Sequence, residues 1–221
     1  MHFQQKIVKI ILWSQKYTQT DMLYLTKGGF WLISGKIVFS ASGLLLIIAF
    51  ANLLSKETYG TYQYVLSVAS ILAIPALPGM NNAIVRAVAQ GYEGSLIPAL
   101  QTQIRWGVLG GIAGLGIAGY YFLNNNITLT ISFLIVSVFV PLMNPFTIYQ
   151  AFWTGKKLFA VQTKYNIIIR IIAISVLVIT VLLTKNLIFI FGVYFSSYTL
   201  LYFIFLRITI KKIQPGQKQD P

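Results

Sequence analysis

A chain of 221 residues with 57% hydrophobic and only 10% charged residues, and a mean hydropathy of +0.74, is not an ordinary soluble domain, where about 25% of residues are charged. Seventeen Lys and Arg against four acids leave a net charge of +13; on so apolar a body, that basic skin points to anionic phospholipids or an anionic cargo rather than to nucleic acid. The lack of cysteine excludes disulfides and thiol chemistry, and a lone histidine, His2, nearly excludes a histidine-based metal site or general base. The expected fold class is all-α, a polytopic membrane protein, and the length holds comfortably six spans of about 20 apolar residues with their connections.

In chain order, residues 1–27 come first. They are not a cleavable signal, because the apolar run that follows is about twice the length of a signal core and no small-residue cleavage site ends it. Phe3, Ile7, Ile10 and Ile11 recur at helical spacing with Lys6, Lys9 and Lys16 elsewhere. This segment is either an amphipathic helix on the membrane surface or a basic tail that only sets topology. Asp21 is placed to cap the first span or to pair with Lys27.

Six apolar runs follow: Gly28 to Leu54, Tyr62 to Met80, Ile104 to Leu123, Ile127 to Gln150, Asn166 to Thr184 and Leu187 to Leu206. A polar tail, 207–221, closes the chain. Alternate connections are minimal, at Ser55 to Thr61, Asn124 to Asn126 and Lys185 to Asn186, and the others are longer and basic. With six spans, one side collects Lys6, Lys9, Lys16, Lys27, Arg86, Arg105, Lys156, Lys157, Lys164, Arg207, Lys211, Lys212 and Lys218, and the other only Lys56 and Lys185. Because cytoplasmic loops hold the excess of Lys and Arg, both termini are expected in the cytoplasm.

None of the four acids, Asp21, Glu57, Glu93 and Asp220, falls in a span. Ion-coupled transport usually needs a carboxylate in the membrane, and a membrane hydrolase or glycosyltransferase needs Asp, Glu or His to move protons or hold a metal. An enzyme is therefore the weaker class, and nothing asks for a cofactor, a metal or a catalytic residue. Two cations do lie inside spans. Lys36 sits about 12 Å into the first and Arg170 about 6 Å into the fifth, at 1.5 Å per residue. Arg86 follows the end of the second. Their common depth suggests a cationic vestibule for a phosphate or pyrophosphate, which arginine grips with paired hydrogen bonds; the competing reading is snorkelling to lipid phosphates.

Proline breaks two spans. Pro75 and Pro78 end the second, and Pro141 and Pro145 interrupt the fourth, as hinges of alternating access or as static kinks. The third carries Gly107, Gly110, Gly111, Gly114 and Ala118 at four-residue spacing, suited to close helix packing. Trp31, Trp106 and Trp153 read as interface anchors, with Trp153 and Thr154 to Lys157 a weaker candidate for touching a sugar.

Gly28-Gly29-Phe30-Trp31-Leu32 leading into Ser34-Gly35-Lys36, the run Ala51 to Tyr62, Pro78 to Arg86, and Gln90-Gly91-Tyr92-Glu93-Gly94 resemble the opening of bacterial polysaccharide and O-antigen flippases of the multidrug/oligosaccharidyl-lipid/polysaccharide exporter superfamily. The resemblance covers residues 20–100 and rests beyond them on span spacing. It implies transport of undecaprenyl-pyrophosphate-linked oligosaccharide across a bacterial or archaeal cytoplasmic membrane by alternating access between two six-helix lobes. Lys36 and Arg86 fall on its positions; Arg170 has no matching motif. Such proteins have two lobes, so this chain corresponds to the N-terminal one, and its tail looks like a linker cut before a second lobe, a split partner or a homodimer mate. The alternatives are a drug or cation exporter half, which predicts buried acids, and a nontransporting scaffold for polysaccharide enzymes.

Overall fold

The computed structural model describes residues 22–213, with side chains from residue 28 onward. The surface helix or basic tail expected over 1–21, the pairing of Asp21 with Lys27, and the end of the polar tail lie outside the described residues. Within them the chain is all-helical. Its α-helices are α1 (Met22–Leu53), α2 (Lys56–Leu72), α3 (Met80–Ala89), α4 (Leu96–Leu123), α5 (Ile127–Met143), α6 (Tyr149–Gly155), α7 (Phe159–Leu183) and α8 (Leu187–Ile210). Short 3-10 turns at Ile74–Ala76, Glu93–Ser95 and Pro145–Ile148 link them.

Five stretches are long and apolar enough to cross a membrane: Gly28–Leu53, Glu93–Leu123, Ile127–Gly155, Phe159–Leu183 and Leu187–Ile210. A sixth exists if Lys56–Ala76 and Met80–Ala89, bent by 50° at their junction, are taken as one span. With these bounds Glu57 and Glu93, expected outside the spans, stand at the first residues of two of them, because those helices begin earlier than their apolar runs. Several boundaries differ from the apolar-run reading. The helix of the third expected span, α4, starts at Leu96 rather than Ile104, and that of the fifth, α7, at Phe159 rather than Asn166. Their first two to three turns carry Gln101, Gln103, Gln162 and Lys164, which lower an averaged hydropathy without breaking the helix.

One end of the bundle carries three tight turns, and a side chain caps the helix after each. Ser55 accepts from the Thr58 amide at 3.2 Å, Asn126 from the Leu129 amide at 3.1 Å, and Asn186 from the Ile188 amide at 2.9 Å. Each supplies an acceptor to a first-turn N–H that has no partner within its helix. The opposite end is basic. There Glu93, 5% exposed, forms an ion pair with Lys156, joining the connection before α4 to the one before α7. Trp153 Nε1 donates to Thr209 Oγ1 at 3.0 Å, joining α6 to the last turn of α8. Gly28 lies against the Phe159 ring, bringing α1 to the same end. The basic segments separated in sequence thus share one end of the bundle, as a chain that crosses and returns requires. Trp153 is correspondingly buried, not an interface anchor, whereas Trp106 is exposed on α4.

The core is knitted by glycine. A Cβ on Gly110 would meet the Leu72 carbonyl oxygen at 2.0 Å, and one on Gly111 the Ser137 carbonyl oxygen at 2.8 Å. On Gly107 it would come within 3.1 Å of the Pro141 carbonyl oxygen. Helix α4 therefore lies backbone to backbone against α5 on one side and against the end of α2 on the other, the close approach that small residues allow in lipid.

Candidate functional site

The broken second span is held by a side chain outside the expected hinge set. After Pro75, Leu77 adopts a left-handed backbone with φ 52°, uncommon for a residue with a branched side chain. Gln103 of α4, 2% exposed, donates through Nε2 to the Leu77 carbonyl and to Asn81 Oδ1, both at 3.2 Å. The Leu77 carbonyl also accepts from the Met80 amide at 3.0 Å, so a neighbouring helix adds a second donor at the break, in keeping with the need to satisfy irregular backbone at membrane depth. Pro78 precedes α3. Pro141 is buried within α5 with its ring against Gly111, and Pro145 opens the 3-10 turn that carries α5 into α6 as one span-length rod.

A cavity of about 510 Å³ opens between α1, α7 and α8, within the size range of small-molecule sites. Each helix faces it with a polar stripe repeating every four residues: Lys36 and Ser40 from α1, Gln162, Asn166 and Arg170 from α7, Tyr194, Tyr198 and Tyr202 from α8. Such spacing keeps each set on one helix face. Gln150 joins from α6, and Asn166 accepts from the Tyr149 hydroxyl at 3.0 Å while its amide lies 3.4 Å from Gln150 Oε1. No acidic side chain lines this cavity among the described residues.

Arg170 organises its wall. Nε donates to Ser42 Oγ at 3.1 Å and Nη1 to the Tyr198 hydroxyl at 3.0 Å, while the guanidinium carbon sits 4.2 Å from the centre of the Phe39 ring. Gly43 leaves room for the group: a Cβ there would come within 3.3 Å of Nη2. These partners orient the guanidinium but are neutral, so its charge has no carboxylate to offset it among the described residues. A charge at membrane depth costs at least about 2.5 kcal/mol, and retained ones face cavities and mark ligand paths.

The three cations proposed from depth separate here. Lys36 and Arg170 line the same cavity. Arg86 sits in the last turn of α3, exposed and away from that lining. The expected hinge prolines also stand apart from it, since none of Pro75, Pro78, Pro141 and Pro145 is in its wall. What the apolar-run reading missed is the amide and tyrosine part of the site; a four-residue recurrence of Gln, Asn and Arg on α7, and of Tyr on α8, was the available signal. No cluster of His, Cys, Asp or Glu able to hold a metal occurs among the described residues.

Fold and site together define, over the described residues, an all-helical chain with the span-length helices of a multi-pass membrane protein and a cationic cavity without an acidic side chain in its wall. No protein-family model, curated protein or solved structure matches the chain.

Proposed function

We propose that this chain is one six-helix lobe of a flippase that carries an undecaprenyl-pyrophosphate-linked oligosaccharide across a bacterial or archaeal cytoplasmic membrane, with its basic end in the cytoplasm and against anionic phospholipids. Lys36 and Arg170 hold the pyrophosphate, and the amides and tyrosine hydroxyls beside them offer hydrogen bonds to a hydroxyl-rich sugar. The observation that carries this reading is Arg170: a fixed positive charge inside an apolar helix, oriented by neutral partners and facing an open cavity without an acid. Arginine stays charged at any physiological pH and its fork matches phosphate oxygens. A second six-helix lobe completes the transporter, and its work is carriage rather than catalysis. Arg86, standing apart from the cavity, belongs in this scheme to the basic rim and meets lipid head groups.

A drug or cation exporter half is less well supported, because cationic cargo calls for a carboxylate that this cavity lacks among the described residues. A nontransporting scaffold needs the basic rim but gives Arg170 no task.

Titration of the purified full chain in nanodiscs with inorganic pyrophosphate tests the proposal. Arg170→Ala and Lys36→Ala should each weaken binding by about tenfold or more, the scale of a lost charge-assisted hydrogen bond, with Arg170→Lys in between and Arg86→Ala near wild type. Equal affinity in Arg170→Ala and wild type would sink the assignment.

A further inference from the structure

A second cavity, of about 340 Å³, lies between α2, α5 and α8, also within the size of a small-molecule site. It is the more apolar of the two and holds no charged side chain among the described residues. Ala69, Ala73, Val140 and Phe195 form its walls, with only Ser70 and Asn144 polar besides Tyr194. Ile74, 62% exposed, also lines it beside the break in the second span, so the cavity reaches the surface of the bundle there. The two cavities share two residues, Met143 and Tyr194. Those two side chains therefore border both the cavity that holds the cations and amides and the more apolar one. Met143 is unbranched and adaptable, and Tyr194 has an apolar ring with a polar tip, suited to a boundary between unlike environments.

We infer that the second cavity is a tail site: it takes the first segment of the hydrocarbon chain of an anionic amphiphile whose head lies at Lys36 and Arg170. This rests on the reading of the first cavity as an anion site. A chain attached to a head inside the bundle must leave through the protein, and a polar exit would strand it among groups that prefer hydrogen-bonding partners. The more apolar cavity across Met143 and Tyr194 receives the chain once those two side chains shift. Chain-bearing ligands are thereby distinguished from free phosphate or pyrophosphate, which occupy the first cavity alone.

The full chain in phosphatidylcholine nanodiscs is labelled with decyl pyrophosphate carrying a diazirine at the end of its chain, and adducts are mapped by mass spectrometry. Adducts are expected on α2, α5 and α8 around Ala69, Val140 and Phe195. Ala73→Phe and Ser70→Trp should each reduce them by roughly fivefold or more, the scale of one steric clash in a packed site. Ser70 is exposed and bonds only to the Ser67 carbonyl of its own helix, so its replacement reads out the mouth of the cavity even if Ala73→Phe fails to fold. Adducts on outward residues such as Leu109 and Ile112, or adducts unchanged in both variants, overturn the tail site and assign the space to bulk lipid. Inorganic pyrophosphate binding, measured in parallel, should be unchanged in both variants. If the wild type binds no pyrophosphate while adducts still map to the second cavity, the cargo reading fails and the apolar site stands alone.

Discussion

Two helix interfaces use the same residue type for different ends. Between α4 and its neighbours, Gly107, Gly110 and Gly111 press on backbone carbonyls and on the Pro141 ring. Between α1 and α7, Gly28 and Gly35 press instead on the outer atoms of side chains, the Phe159 ring and the Thr163 methyl. Backbone inside a helix cannot retreat, whereas a side chain can change rotamer. The first interface is therefore a fixed spine. The second is adjustable and encloses the polar cavity, and no residue of α1 between Gly28 and Phe50 is fully buried. A glycine in an apolar span thus announces a close approach but does not say whether the partner is rigid; the atom that it meets decides.

Substitutions at these two seams should break or sharpen the contrast. Gly110→Val carries the largest expected effect, since its first carbon already collides with the Leu72 carbonyl at 2.0 Å; overpacking of this kind costs about 3 kcal/mol or more. Loss of monodisperse protein, or a strongly lowered thermal midpoint in detergent, is the expected result, and a wild-type midpoint would mean that the spine is not rigid. Arg170→Met separates stability from binding. Pyrophosphate affinity should fall by about tenfold, ~1.4 kcal/mol, while the thermal midpoint holds or rises because an unpaired charge has left an apolar helix. Were both to fall together, Arg170 would be structural.

Gln103→Leu removes the donor to the Leu77 carbonyl and should cost about 1 kcal/mol, the scale of side-chain hydrogen bonds between membrane helices. Faster hydrogen exchange confined to 74–82 would identify the break as its site of action, and uniform exchange would not. The smallest effect is expected from Gly35→Ala, below about 1 kcal/mol, because Thr163 Cγ2 at 2.8 Å can swing away. Adding Thr163→Ser should recover most of the loss, and failure to do so would make this seam as stiff as the spine.

Hydropathy and loop charge carry the helix count and the gathering of the basic segments at one end, because lipid demands long apolar helices and the cation bias follows chain reversal. The α4 glycines were equally legible, since close approach in lipid has few other solutions. The site was legible only in part. Lys36 and Arg170 stand out as charges in apolar runs, but Gln162, Asn166 and the three tyrosines are diluted by the isoleucine, valine and phenylalanine around them. Arg86 has the right charge at a plausible depth; Pro75 and Pro78 mark the break before it, but that the helix beyond the 50° bend holds Arg86 away from the cavity is set by packing and not by local pattern. Gln103 was hidden for a different reason: its neighbours Gln101, Thr102 and Arg105 give that stretch the composition of a loop, and its role appears only once the carbonyl of Leu77 stands opposite it.

The sparse contacts of α1 also bear on how the protein is made. Its main neighbour is α7, more distant in sequence than any other helix except α8. During synthesis, which supplies residues at about 5–20 per second, α1 enters the bilayer well before the helix that it will rest on. Its exposed Phe30, Ile33, Ile37, Leu44 and Ile48 let it wait there as a lone lipid-solvated rod. Ser42, the α1 partner of Arg170, meets that guanidinium only when α7 arrives. The wall of the cationic cavity is thus among the last parts of this chain to come together.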